Sequence, residues 1–86
     1  DETMQSDRAD ANLYDCFADR ESAKRIHRVL HDMNEPYKEV FSLRVFGELP
    51  FKEIAELFGK TESWAKVTFY RAKNQILNAI NEEDAK

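Results

Sequence analysis

The stretch Phe51-Lys-Glu-Ile54-Ala55-Glu-Leu57-Phe58-Gly59-Lys60-Thr61-Glu62-Ser63-Trp64-Ala65-Lys66-Val67-Thr68-Phe69-Tyr70-Arg71-Ala72-Lys73, continuing to Ile80, decides the fold. Ile54, Ala55, Leu57 and Phe58 recur at helical spacing, and Gly59 supplies the left-handed position that ends such a helix. Thr61 can cap the next helix by accepting a backbone N–H of its first turn, where Glu62 suits the positive end of the helix dipole. Ala65, Phe69, Ala72, Ile76 and Ile80 then recur at intervals of four and three, which predicts one buried stripe. The opposite face carries Ser63, Lys66, Val67, Tyr70, Arg71 and Asn74. A short helix, a tight Gly-containing turn and a longer two-faced helix form the helix-turn-helix pattern, whose second helix can enter a DNA major groove.

Working outward, residues 37 to 46 of the 86-residue chain predict a second apolar helix (Tyr37, Val40, Phe41, Leu43, Val45), with Pro36 at its start and Gly47 after it. Pro50 sits at or just before the next helix start, and Leu49 can pack across that junction. Upstream, Ala23, Ile26, Val29, Leu30 and Met33 form one stripe on a helix of roughly 21 to 33, with Asp19 or Ser22 as its cap. A chain of this length has room for one small domain, and two glycines, two prolines and no alternating β-branched runs point to an all-α, four-helix domain with a C-terminal helix-turn-helix. The expected boundaries are an acidic flexible linker over 1–20, the domain over 21–81 and a fraying polar tail over 82–86. Leu13, Tyr14 and Phe17 leave open a helical extension of the linker. The expected core is Ile26, Val29, Leu30, Val40, Phe41, Ile54, Ala55, Phe58, Ala65, Phe69, Ala72 and Ile76.

The net charge of −4 is unevenly spread. Residues 1 to 22 hold seven acids against Arg8 and Arg20, whereas Lys60 to Ala79 carries Lys60, Lys66, Arg71 and Lys73 against Glu62 alone. That helix can neutralise a few phosphates, which is less than the broad basic surface of an autonomous high-affinity DNA binder, so weak binding alone and help from a partner are expected. Lys60 and Lys73 read as solvated charges adding diffuse attraction at most.

No apolar run approaches the roughly 20 residues that a membrane-spanning helix needs, and no signal peptide is visible. The start at Asp1 rather than methionine fits an excised piece of a longer protein. Cys16 is the single cysteine, an ordinary thiol with no CxxC partner, which fits a reducing cytoplasm. His27 and His31 stand four apart but lack the glutamate of HExxH and a third ligand, so a solvated pair is expected and no metal site. No phosphate loop or nucleophile elbow appears, and neither an enzymatic role nor a cofactor is expected.

The segment Pro36-Tyr-Lys-Glu-Val-Phe-Ser-Leu-Arg-Val-Phe-Gly-Glu-Leu-Pro-Phe-Lys-Glu-Ile-Ala-Glu-Leu-Phe-Gly59, followed by Lys66 to Arg71-Ala72-Lys73, resembles region 4 of bacterial sigma factors of the extracytoplasmic-function group. The resemblance covers about Glu21 to Ile80. It implies recognition of a promoter −35 element as double-stranded DNA, docking on the flap of the RNA polymerase β subunit, capture by an anti-sigma factor, and a monomeric isolated domain. It places base reading on Lys66, Val67, Tyr70 and Arg71, and backbone contact on Phe51 and Lys52.

The chain departs from the family pattern after the turn. Ser63-Trp64-Ala65 stands where Gly-Thr-Val is usual, Val67 where serine is frequent and Thr68 where arginine is frequent, which makes Ser63, Trp64 and Thr68 further candidate DNA contacts. Trp64 can lie along the phosphate backbone or fold over the preceding helix. Tyr70 can instead cap the core, and Arg71 can pair with Glu53 or Glu56. Two rival readings stand beside promoter recognition: a protein-interaction module bound mainly by an anti-sigma factor or polymerase, and an independent dimeric helix-turn-helix regulator.

Overall fold

The computed structural model describes residues 18–85, so the acidic segment before Ala18, with Cys16 and the Leu13, Tyr14 and Phe17 cluster, lies outside the described residues. Within them run α1 (Arg20–Asp32), α2 (Tyr37–Val45), α3 (Phe51–Phe58) and α4 (Glu62–Ala85), with no strand among the described residues. None of these helices is long and apolar enough to cross a membrane.

Each helix begins where the local chemistry satisfies its free N–H groups. Asp19 caps α1: its carboxylate accepts from the Ser22 N–H at 3.2 Å and the Ser22 hydroxyl at 2.8 Å. The two hydrogen bonds, the hydroxyl's first, hold the Asp19 carboxyl below the ordinary aspartate value. α2 starts at Tyr37, as expected. Pro36, reached through a cis peptide bond, is the N-cap rather than the first helical residue, and the Glu35 carboxylate accepts from the Glu39 N–H at 3.0 Å. α4 is capped as expected, by Thr61 Oγ1 accepting from the Trp64 N–H at 3.1 Å.

The two glycines end helices for different reasons. Gly59 lies at φ +66° and closes α3 with paired bonds, its own N–H to the Glu56 carbonyl at 3.2 Å and the Lys60 N–H to the Ala55 carbonyl at 2.9 Å. At Gly47 the constraint is close approach, since a Cβ there would stand 2.7 Å from the Leu43 carbonyl oxygen. The left-handed residue of that turn is Glu48, at φ +56°.

α4 is the spine, packed against α1, α2 and α3, while α2 and α3 also touch. Its buried stripe Ala65, Phe69, Ala72 and Ile76 meets Ile26 and Leu30 of α1, Val40, Phe41 and Val45 of α2, and Ile54 and Ala55 of α3. Phe41 and Phe69, both fully buried, stack at 5.8 Å between ring centroids. The expected core holds, except that Val29 and Phe58 pack from its rim and Val45 joins it. Arg25 ties α1 to the far end of α4 by donating to the Ile80 carbonyl at 3.2 Å.

One boundary differs clearly from expectation. Residues 82–85, read as a fraying tail, continue α4 to Ala85. No glycine or proline follows Gly59, and each residue added to an existing helix gains a hydrogen bond without a new nucleation cost.

Two outcomes follow from this packing. Phe69→Ala removes the central ring and is expected to cost about 3–5 kcal/mol, measured as a large fall in melting temperature; an unchanged melt would remove Phe69 from the core. Asp19→Ala is expected to destabilise the domain above the ordinary aspartate value of 3.8, because a lowered folded value contributes stability there. That difference between parent and variant should shrink as pH falls through the still lower folded value; a gap independent of pH would show that the carboxylate's charge is not what caps α1.

Candidate nucleic-acid interface

α4 presents its first half to solvent because its other side is fully occupied by three helices. Ser63, Val67, Arg71 and Asn74 are exposed, and Lys66 and Tyr70 are partly exposed between them. Ser63, Val67, Arg71 and Asn74 stand three or four apart, as do Ser63, Lys66, Tyr70 and Asn74, so the two rows form one ridge. From Ser63 to Asn74 the ridge is about 16 Å long at 1.5 Å per residue, roughly the length of five stacked base pairs.

The chemistry of the ridge is mixed. Lys66 and Arg71 supply cationic donors, Ser63 and Asn74 supply groups that donate and accept, and Val67 offers an apolar branch that is 46% exposed. Lys66 Nζ reaches Glu62 at 4.0 Å, a surface pair worth little in water that leaves its ammonium near the ridge. Arg71 makes no ion pair with Glu53 or Glu56 among the described residues, so that alternative partner is not engaged. The pattern matches what a major groove displays: acceptors and donors on base edges, interrupted by thymine methyls.

Beside the ridge, Phe51 opens α3 and Lys52 follows it into solvent. Phe51 is half-buried and carries structural duties: its ring lies 5.6 Å from Phe69 and 6.4 Å from Tyr70, and the Arg44 guanidinium sits 4.3 Å above it. Arg44 is itself anchored, donating to the Leu49 carbonyl at 3.2 Å. Tyr70 therefore rests at the rim of the core with its ring against Phe51 and Phe69 while staying partly open to solvent.

Two positions differ from expectation, and at a third one of two open readings is taken. Thr68, offered as a candidate contact, is only 5% exposed. Lys73, expected in solvent, is 4% exposed, with its Nζ 4.6 Å from the Tyr70 ring centroid and 5.5 Å from that of Phe69. The physical reason is common to both: a helix wedged against three partners buries a wider arc than one row of apolar residues marks. Trp64 takes the second of its two readings, folding over α3 with its ring 5.2 Å from Phe58, and Lys60 lies 5.9 Å above the indole.

Away from the ridge, His27 is exposed but stacks on Phe46 at 5.4 Å rather than standing alone in water. No group of three His, Cys, Asp or Glu side chains among the described residues could hold a metal ion. Arg44 is the residue that spacing missed: an arginine in an apolar helix gives no sign that it will brace the first residue of the next one.

Comparison with known proteins bears on this ridge and its scaffold. The family described as "Sigma-70, region 4" matches residues 23–76. The RNA polymerase sigma factor SigV of Bacillus subtilis (strain 168) is 32% identical over 59 residues, a match covering 69% of this chain and 36% of that protein. The chain thus spans little more than a third of that relative's length. No solved structure gives a significant match. The family match extends from α1 through the whole exposed ridge of α4, and on that ground the chain belongs to the sigma-70 region 4 family, the DNA-binding domain of sigma factors.

Proposed function

We propose that this chain is the −35-reading domain of an extracytoplasmic-function-type sigma factor, acting by binding and without catalysis. The observation that carries the reading is the single ridge on α4, where Lys66, Val67, Tyr70 and Arg71 stand on a helix locked at its back by Phe69 and Ala72. In the proposed complex the N-terminal half of α4 lies in the major groove. Arg71 or Lys66 donates to guanine O6 and N7, Val67 and the Tyr70 ring pack on a thymine methyl or a sugar, and Ser63 and Lys52 meet phosphates. Trp64, already seated on Phe58, contributes by fixing the start of α4.

The modest charge of this face makes the RNA polymerase β-subunit flap part of the proposal, as the platform that raises local concentration at the promoter. An anti-sigma factor as regulator, a cytoplasmic setting and a monomeric domain belong to the same reading. A second reading, a module whose main partner is protein, draws on Leu57, which is 67% exposed beside Leu49 above a shallow hollow lined by Lys52, Glu53 and Glu56. The two differ in whether the α4 ridge discriminates base pairs.

Titration of −35-type duplexes at two salt concentrations separates them. Arg71→Ala is expected to lose about 1–3 kcal/mol concentrated at particular base pairs if it is bidentate to guanine. Lys66→Ala does the same if it reads a base, or weakens every duplex alike with a smaller salt dependence if it meets a phosphate. Parent-like binding of every duplex by both variants would refute base reading by this face.

A further inference from the structure

The buried lysine of α4 has no place in the scheme above. Lys73 lies on the core side of the helix, yet its ammonium is directed back over the ring of Tyr70. Tyr70 is then contacted on three sides, by Lys73 at 4.6 Å, Phe69 at 5.7 Å and Phe51 at 6.4 Å. Phe51 in turn carries the Arg44 guanidinium at 4.3 Å. Two adjoining rings, Phe51 and Tyr70, are thus flanked by a cation at each end, Arg44 and Lys73, in a chain that links α2, α3 and α4.

We propose that Lys73 is a positioning residue for Tyr70, holding its ring in the orientation that meets DNA, so that base preference depends on a side chain that DNA does not touch. The proposal rests on the reading of α4 as a base-reading helix and deepens it. A cation over a ring face is attracted by the ring's quadrupole, and the attraction grows as water is removed, which is the setting of a lysine this buried. A ring fixed before binding loses less freedom on docking than one that swings. The competing explanation is that the lysine stem merely fills space as an apolar spacer. Methionine separates the two, because it keeps a long flexible stem of similar volume and removes the charge.

The test uses the 86-residue chain in five forms: parent, Lys73→Met, Lys73→Arg, Tyr70→Ala and the Tyr70→Ala/Lys73→Met double variant. Each is titrated against duplexes in which the base pairs of a −35-type site are changed one at a time, and the Tyr70 ring signals are followed by NMR in the free protein. Lys73→Met is expected to weaken the preferred duplex roughly threefold to thirtyfold, to flatten preference at the same base pairs as Tyr70→Ala, and to add nothing in the double variant. Lys73→Arg should restore most of the preference, and the free-protein Tyr70 signals should shift in Lys73→Met.

Uniform weakening across all duplexes with a reduced salt slope would make Lys73 a phosphate contact and overturn the proposal, as would full additivity in the double variant. No loss in Lys73→Met would reduce the lysine to a spacer. If the parent itself shows no base preference, the base-reading function fails. This proposal then fails with it; where the parent does show base preference, unchanged Tyr70 signals in Lys73→Met would overturn the proposal alone.

Discussion

The stack of Phe41 on Phe69, 5.8 Å between centroids and nearly parallel, pins α4 to the scaffold, and the orientation of every exposed side chain on α4 depends on it. A small domain has few interior residues with which to fix a helix, and here the two largest fully buried side chains come from α2 and α4. Phe51 adds an edge-on contact to the same Phe69 ring from α3. One aromatic side chain therefore ties three helices together, and its neighbour Tyr70, one residue further along the helix, emerges at the surface. Core and exposed face are separated by a single peptide unit, so loosening one is felt in the other.

Much of this was legible in the residue pattern because the signals were local. Gly59, Thr61 and the Ala65, Phe69, Ala72, Ile76 row each act through their own backbone or helix face, and each occupies the predicted place. What stayed hidden depends on partners distant in sequence. Val45 is buried because α2 leans on α4, Thr68 and Lys73 because three helices crowd α4, and Arg44 finds Phe51 only once the turn through Glu48 brings α3 back. The extension of α4 to Ala85 was missed for another reason: polarity read as fraying, although polarity alone does not break a helix that nothing stops. Trp64 was undecided in sequence because an indole serves wet and dry surroundings equally well, and the position of Phe58 settled its ring on α3.

The electrostatics of the face limit what it can do unaided. Of the four bases between Lys60 and Ala79, Lys73 is withdrawn into the core and Lys60 is drawn over the Trp64 ring, leaving Lys66 and Arg71 on the ridge. Two such charges release few counterions on binding to DNA, so the affinity available from phosphate attraction is small. That balance is what the proposed delivery to the promoter by RNA polymerase requires, since a platform raises local concentration without new contacts. The acidic residues at the start of the chain push in the same direction, since they oppose non-specific attachment to DNA.

The most direct measurement is an NMR titration of the uniformly labelled chain with a −35-type duplex, following backbone amides and side-chain groups along the whole domain. If the α4 ridge meets DNA, the largest changes fall on Ser63, Lys66, Val67, Tyr70, Arg71 and Asn74, with smaller ones at Phe51 and Lys52 and little on α1. Changes centred instead on Leu57 and the outer face of α3, or spread evenly over the domain, would contradict it.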